Sequence, residues 1–203
     1  MSRELSIRLL FYLTGMFVIS FGVSLTITAD LGAGAWDALN VGLSSLTGLT
    51  VGSWVIIIGF LLILVNAIIA QEKPNFFAII TIFVLGFLID FWLITVMTDW
   101  IFTSLISQIA VLLIGVAGIG LGVAMYLQAQ FPLNPVDGLM VALQKRWKLS
   151  LVKAKTLTEG FALLLALVLG GPIGIGTILI LLSVGPAIQL FDPVIRRLMH
   201  SFI

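Results

Sequence analysis

Six long apolar runs dominate the sequence and constrain the fold more than any other feature. They cover residues 8–28, 52–70, 76–96, 104–127, 154–170 and 173–191. A helix needs about 20 apolar residues to cross a bilayer, so the runs have the length of membrane spans. Because they are continuous and do not alternate with polar residues, they predict helices and not strands. We therefore expect an all-α, polytopic membrane protein with six transmembrane helices and a single transmembrane domain over residues 1–203.

The composition excludes several classes of protein. Hydrophobic residues make up 61% of the chain and charged residues only 9%, whereas a soluble domain carries about 25% charged residues. A soluble enzyme, a nucleic-acid binder and a disordered protein are all excluded by this deficit of polar surface. The chain has no cysteine and one histidine, His200, so we expect no metal site and no cofactor. The expected partner is the lipid bilayer.

The basic residues predict the orientation of the chain. With six spans and a cytoplasmic N-terminus, all ten Lys and Arg residues fall on the cytoplasmic side. Positive charge near the ends of spans favours the cytoplasm, so both termini are predicted to be cytoplasmic. The first run follows Arg3 and Arg8 like a signal peptide, but it is about twice as long as the usual ~7–15-residue apolar core of a signal. We interpret it as the first span.

The two halves of the sequence resemble each other at a spacing of 100 residues. The matched pairs include Leu13 and Leu113, Gly15 and Gly115, Gly22 and Gly122, Asp37 and Asp137, and Thr50 and Ser150. This predicts two repeats, at about 8–96 and 104–195, with three spans each. Because three is odd, the repeats must have opposite orientations, as in many secondary transporters. A duplicated three-helix unit that merely packs well remains the alternative.

Each repeat has an acidic residue in a polar break after its first span. In the second break Asn134 is suited to be an N-cap and Pro135 a first helical residue, which places Asp137 third in a short helix and Asp37 at the matching position. One interpretation is that each carboxylate only offsets the helix dipole. The other is that two half-helices, entering from opposite faces, direct both carboxylates towards a bound solute or cation.

Three further residues complete the candidate set for a substrate or ion site. Asp90 lies short of the end of an apolar run, where a carboxylate is costly unless it is paired, protonated or hydrated. Trp36, beside Asp37, is a candidate to pack over a cation, with an interfacial anchor as the alternative. Asn134 borders Asp137. Glu159 is assigned instead to an ion pair with Lys155, four residues before it on the same helix face.

Three segments carry a resemblance to a known family. The stretches Gly32–Leu39, Leu46–Gly52 and Gly86–Asp90 resemble the Gly-rich turn, the Thr-Gly-hydrophobic-Thr-x-Gly step and the third span of the YitT/YczE-like family of bacterial membrane proteins. Ala35 stands where that family usually has proline, although Pro135 keeps it in the second copy. The resemblance implies a multi-pass protein of the bacterial inner (plasma) membrane and implies little about activity.

The leading hypothesis for function is a small transporter or permease for a polar or charged small molecule, working by alternating access between the inverted repeats. Asp37, Asp137, Asp90, Trp36 and Asn134 are the candidates for binding the substrate or a coupling ion. The alternatives are a substrate-binding membrane subunit of a larger transporter and a non-transporting scaffold or regulator. No nucleophile–base pair is visible, so an enzyme is not expected. Six spans form a thin wall around a site, which is compatible with a homodimer.

Overall fold

The computed structural model describes residues 3–202, and this part of the chain contains eight α-helices. They are α1 (Arg3–Thr28), α2 (Ala35–Thr47), α3 (Val51–Ala70), α4 (Ala78–Asp90), α5 (Leu105–Gln128), α6 (Pro135–Trp147), α7 (Leu151–Val168) and α8 (Ile175–Phe202). A π-helical turn at Phe91–Val96 continues α4. No strand occurs in residues 3–202. The prediction of an all-helical chain is therefore confirmed over the described residues.

The helix boundaries recur at a spacing of 100 residues. α1 ends at Thr28 and α5 at Gln128, while α2 and α6 each contain 13 residues and begin 100 residues apart. The next helix of each half begins after a hydroxyl N-cap: the Thr50 side chain accepts from Ser53 N, and the Ser150 side chain accepts from Lys153 N. Such caps satisfy amides that have no partner in the first helical turn.

Five helical segments in residues 3–202 are long and apolar enough to cross a membrane. They are α1, α3, Ala78–Val96, α5 and α8. The sixth predicted span, 154–170, corresponds to α7, which has 18 residues and carries Lys153, Lys155 and Glu159. α1 and α8 also carry three residues of Asp, Glu, Lys or Arg each, but at 26 and 28 residues they are longer and keep these charges near one end. The structure thus supports a multi-span membrane protein, and the count of six spans stays a prediction.

The helices form two compact units. The first unit contains residues of the ranges 3–34, 88–131 and 173–202, which hold α1, the π-helical turn, α5 and α8. α1 and α5 pack antiparallel with their backbones in contact. A Cβ atom on Gly22 would lie 2.6 Å from the Gly115 carbonyl oxygen, and one on Gly15 would lie 2.8 Å from the Gly122 carbonyl oxygen. These glycines allow close helix packing, as small residues do in membrane proteins.

α8 packs along α5 in the same unit. A small apolar core of Ala29, Leu112, Val116 and Ile180 joins these helices to the end of α1. α8 extends eleven residues beyond the predicted end of the last run at residue 191, to Phe202. Ile195 and Met199 are buried one turn apart in this extension, and burial of this stripe accounts for the continuation of the helix.

The second unit contains residues 35–87 and 132–172, which hold α2, α3, most of α4, α6 and α7. α2 packs against α7 and α3, and α6 packs against α3 and α7. Gly42 of α2 lies against the turn after α7, because a Cβ there would be 2.9 Å from Gly171 N. α3 packs against α4 through Ile63, Ala78 and Ile82. The two short helices are therefore held between longer ones.

Candidate functional site

The first turns of α2 and α6 carry the two predicted acidic residues. Asp37 is the third residue of α2, and Asp137 is the third residue of α6. The Asn134 side chain caps α6 by accepting from Val136 N at 3.3 Å, and Pro135 is the first residue of the helix. The predicted cap is therefore confirmed. Both aspartates occupy first-turn positions at which a carboxylate is favoured by the helix dipole.

α7 joins these two first turns electrostatically. Glu159 of α7 interacts with Asp37 and also with Asp137. Lys155, one turn earlier on the same face of α7, interacts with Asp137 and Glu159. We call Asp37, Asp137 and Glu159 the acidic cluster. Its three members come from three helices of the second unit, so packing brings together residues that are far apart in the sequence.

The acidic cluster lies inside the unit without being sealed. Protein surrounds the carboxyl groups of Asp37 and Asp137, yet part of each residue, and of Glu159, remains accessible. Burying several carboxylates is costly unless they are paired, protonated or reached by water. One lysine, Lys155, interacts with two of these three acids. The arrangement therefore favours binding of a further positive charge, either a proton or a cationic group.

Two buried polar atoms without a hydrogen-bond partner lie beside Asp37 on α2. Trp36 is 8% exposed and Asn40 is 5% exposed, and neither Trp36 Nε1 nor Asn40 Oδ1 has a hydrogen-bond partner among residues 3–202. Asn40 follows Asp37 by three residues and Trp36 by four, so all three side chains share one side of the helix. An unpaired buried donor or acceptor costs about 1–3 kcal/mol. This face of α2 thus offers one free donor and one free acceptor.

A cavity of about 180 Å³ opens between the C-terminal half of α3 and α6. Its wall includes Asn66 of α3 and Gly138 of α6, the residue after Asp137. Asn66 Nδ2 donates to the Pro135 carbonyl oxygen at 2.8 Å, while its buried Oδ1 has no partner. The cavity therefore reaches the first turn of α6 and presents a free acceptor there. α2 contributes no lining residue to it.

Charged side chains connect α6 to the end of α3 at the rim of this cavity. Lys145 Nζ donates to both carboxylate oxygens of Glu72, at 3.0 and 3.1 Å. Next to it, Arg146 donates to Gln71 Oε1 at 3.2 Å. Lys145 and Glu72 are more than half exposed, so this pair is a surface contact of modest strength.

The structure separates the predicted candidates into two groups. Asp37, Trp36, Asp137 and Asn134 all belong to the second unit, and the two aspartates meet through Glu159. Asp90 belongs to the first unit, where it is half-buried at the end of α4. Asp90 is therefore not part of the acidic cluster within the second unit. In the described residues, no three His, Cys, Asp or Glu side chains are positioned to hold one metal ion.

Sequence reasoning missed Glu159 and Asn40 as site residues. Glu159 was assigned to a surface pair with Lys155, but the packing of α7 on both α2 and α6 adds its interactions with the two aspartates. A glutamate in an apolar run was the available signal. Asn40 carries a comparable signal, because it is a polar residue one turn after Asp37 among Leu39, Val41 and Leu43.

Residues 6–193 match the sequence profile of DUF6198, a family of unknown function. The chain belongs to the DUF6198 family. Among similar proteins of this kind, YyaS of Bacillus subtilis (strain 168), an uncharacterized protein, is 40% identical over 190 residues, which cover 94% of each chain. YczE of the same organism, an uncharacterized membrane protein, is 36% identical and covers 91% of this chain and 85% of its own length.

A third relative of this DUF6198 member is an uncharacterized protein of Haemophilus influenzae, 30% identical over 93% of this chain and 84% of that protein. No solved structure matches the chain. The likeness to YczE confirms the resemblance inferred from the glycine and threonine motifs. Together with the five apolar helices, it identifies the chain as an integral membrane protein.

Proposed function

We propose that this DUF6198 protein is a small permease that moves a polar or charged small molecule across the bacterial inner membrane by alternating access. The acidic cluster is the proposed binding site. The observation that carries the proposal is the interaction of Glu159 with both Asp37 and Asp137. A role restricted to helix capping requires only that each aspartate interact with its own first turn. It does not require two first turns to share a third acid.

Pairs of equivalent contacts support the inverted repeat that alternating access needs. Adding or subtracting 100 residues turns the Gly15–Gly122 contact into a Gly115–Gly22 contact, and both contacts exist. Likewise the packing of α2 on α7 exchanges with that of α6 on α3. The antiparallel arrangement of α1 and α5 agrees with inversion of the two first spans. Two states of similar energy are expected from such symmetry.

The repeats are interleaved, which shapes the proposed motion. Within the second unit, α2 and α3 of the first repeat pack with α6 and α7 of the second. A repeat therefore does not swing as a separate body. Instead, we propose that the equivalent contacts α2–α7 and α6–α3 loosen in alternation, so that the acidic cluster becomes accessible from one side and then the other. The cavity between α3 and α6 supports an opening on the α6 side.

Transport into proteoliposomes tests the proposed function. The full chain would be reconstituted and offered a mixture of small metabolites, and the contents of the vesicles would be analysed by mass spectrometry. Asp37→Asn and Asp137→Asn are expected to lower uptake of the transported solute at least about 10-fold, the size of one lost charge-assisted contact. Asp99→Asn, at an exposed residue, is the matched control. Uptake no greater than into empty vesicles for every solute contradicts the proposal.

The proposed inversion and cytoplasmic termini have a separate test. The chain has no cysteine, so single cysteines can be introduced at matched, exposed positions. Thr47 ends α2 and Trp147 ends α6. In intact cells, a membrane-impermeant maleimide is expected to label Thr47→Cys from outside and Trp147→Cys only after permeabilisation. Labelling of both from one side contradicts the inverted arrangement.

A further inference from the structure

We propose that the site at the acidic cluster takes an organic cation that carries N–H donors and one neutral oxygen acceptor. This inference names the substrate class of the site and so rests on the proposed function. It depends on three properties of the second unit: its excess of acid, the arrangement of its carboxyl groups, and the two unpaired polar atoms of α2.

The excess of acid selects a positive ligand. Among the groups that interact with Asp37, Asp137 and Glu159 there is one base, Lys155, and it interacts with Asp137 and Glu159. With all four ionised, the formal charge of the group is −2, from three carboxylates and one ammonium. The neighbouring helix α3 contains no ionisable residue to offset it. Like charges repel strongly where water is scarce, so a cation stabilises the group and an anion is disfavoured.

The arrangement of the carboxyl groups favours an organic cation over a single metal ion held by all three acids. The acids interact electrostatically, yet no three acidic side chains in the described residues are placed to share a metal. A metal ion requires its oxygen ligands within about 2.0–2.6 Å. A molecule with several N–H groups satisfies separated carboxylates, because each group supplies its own directed hydrogen bond.

The unpaired atoms of α2 define two further features of the ligand. Asn40 Oδ1 is an acceptor without a donor, and it lies one turn from Asp37 on the same face of the helix. A cationic N–H group between them would satisfy both. Trp36 Nε1 is a donor without an acceptor, and it requires a ligand oxygen. That oxygen is expected to be a neutral hydroxyl or carbonyl, since a carboxylate would be repelled by the acids.

Four small probes separate these features. Ethanolammonium has the positive charge, the N–H donors and a hydroxyl. Choline keeps the charge and the hydroxyl but has no N–H donor. Ethylammonium lacks the oxygen, and ethylene glycol lacks the charge. Calorimetric titration of the full chain in nanodiscs is expected to give the tightest binding for ethanolammonium, about 10-fold weaker binding for choline and for ethylammonium, and none for ethylene glycol.

Two variants assign the contacts to named side chains. Asn40→Leu is expected to weaken ethanolammonium about 5-fold and leave choline unchanged, because choline has no N–H to lose. Trp36→Phe is expected to weaken ethanolammonium by a similar factor and leave ethylammonium unchanged. Asp37→Asn is expected to weaken all three cations. Asp99→Asn, outside the unit and exposed, serves as the control that leaves every value unchanged.

The results that overturn the inference differ from those that overturn the permease. Choline binding as tightly as ethanolammonium, or no binding of any probe by the folded chain, removes the proposed cation class. If proteoliposomes nevertheless accumulate a neutral or anionic solute in an Asp37-dependent manner, the permease stands without this class. If the probe series behaves as expected while no solute enters the vesicles, the cation site stands and the permease falls.

Discussion

The two units of this protein differ in how many of their buried polar side-chain atoms lack a hydrogen-bond partner. In the first unit the helices meet through glycines, and Asp192 is paired with both Gln128 and Arg196, at 2.6 and 2.9 Å. Trp92 Nε1 there donates to Ser20 Oγ at 3.1 Å. Among the described residues, the buried side-chain atoms without a hydrogen-bond partner are Ser24 Oγ in the first unit and Trp36 Nε1, Asn40 Oδ1 and Asn66 Oδ1 in the second. The units therefore differ in degree, with more unsatisfied polar atoms in the second.

This difference indicates that the first unit mainly provides stability and that the second unit is suited to binding. A dense, hydrogen-bonded unit gains stability from close contacts and tolerates little change in volume. A unit that leaves donors, acceptors and carboxylates unsatisfied is less stable than it could be, and such sacrifices are typical of binding sites. We therefore expect substitutions in the first unit to act on folding and substitutions at the acidic cluster to act on transport.

The largest effect is expected at the contact between α1 and α5. Gly22→Leu places a side chain where even a Cβ would be 2.6 Å from the Gly115 carbonyl oxygen, so the helices must separate. We expect a loss of about 3 kcal/mol or more in stability, the upper range for overpacking. Thermal unfolding in detergent measures it. Gly185→Leu in α8 is the control, because a Cβ there meets nothing within 4 Å. Equal losses of stability in the two variants would contradict the packing argument.

Asp37→Asn, in the second unit, is expected to lower uptake without lowering Tm. Uptake should fall at least about 10-fold, while Tm stays unchanged or rises, because the variant removes the acid of α2 that repels Glu159. Comparison of Tm and uptake in the same preparation checks both parts. A variant that loses Tm in proportion to uptake would indicate that Asp37 serves folding instead of binding.

An intermediate effect on stability is expected at the wall of the cavity. Asn66→Ala removes the 2.8 Å bond to the Pro135 carbonyl oxygen, which we expect to cost about 1 kcal/mol. Thermal unfolding is again the measurement. Asn75→Ala, at an exposed residue of the same cavity, provides the matched comparison and should change little. The idea fails if the two variants are equally stable.

The smallest effect is expected at the rim of the cavity. Lys145→Gln breaks the pair with Glu72, which is more than half exposed on both sides. Exposed pairs of this kind contribute about 0.2–1 kcal/mol. The loss should shrink further as salt is added, because exposed charges are screened. A loss of unfolding free energy that is large and independent of salt would show that the pair is more than a surface contact.

Local sequence chemistry was sufficient to predict much of the framework. Asn134 followed by Pro135 marks the start of α6 as predicted, and the predicted match of Thr50 with Ser150 falls on the N-caps of α3 and α7. These features depend on a few neighbouring residues and on the rules for helix ends. Five of the six predicted runs likewise correspond to apolar helices of membrane-spanning length.

Features that depend on packing between distant segments could not be predicted in this way. The predicted last run ends at residue 191, before Asp192 and Pro193, but α8 continues through Pro193 to Phe202 because Ile195 and Met199 are buried. Glu159 gave the same difficulty, since its two aspartate partners lie on other helices. Local patterns do not specify which helices become neighbours.

The position of Glu159 between two aspartates has a consequence for how their effects combine. A change at residue 37 alters the field felt by Glu159, and Glu159 in turn interacts with Asp137. In a double-mutant cycle, Asp37→Asn and Asp137→Asn should therefore show a coupling energy and fail to add. By thermodynamic reciprocity, a ligand at Asp37 changes the affinity of Asp137 for its ligand by the same factor as a ligand at Asp137 changes the affinity of Asp37. Through Glu159, the first turns of α2 and α6 are thus energetically coupled.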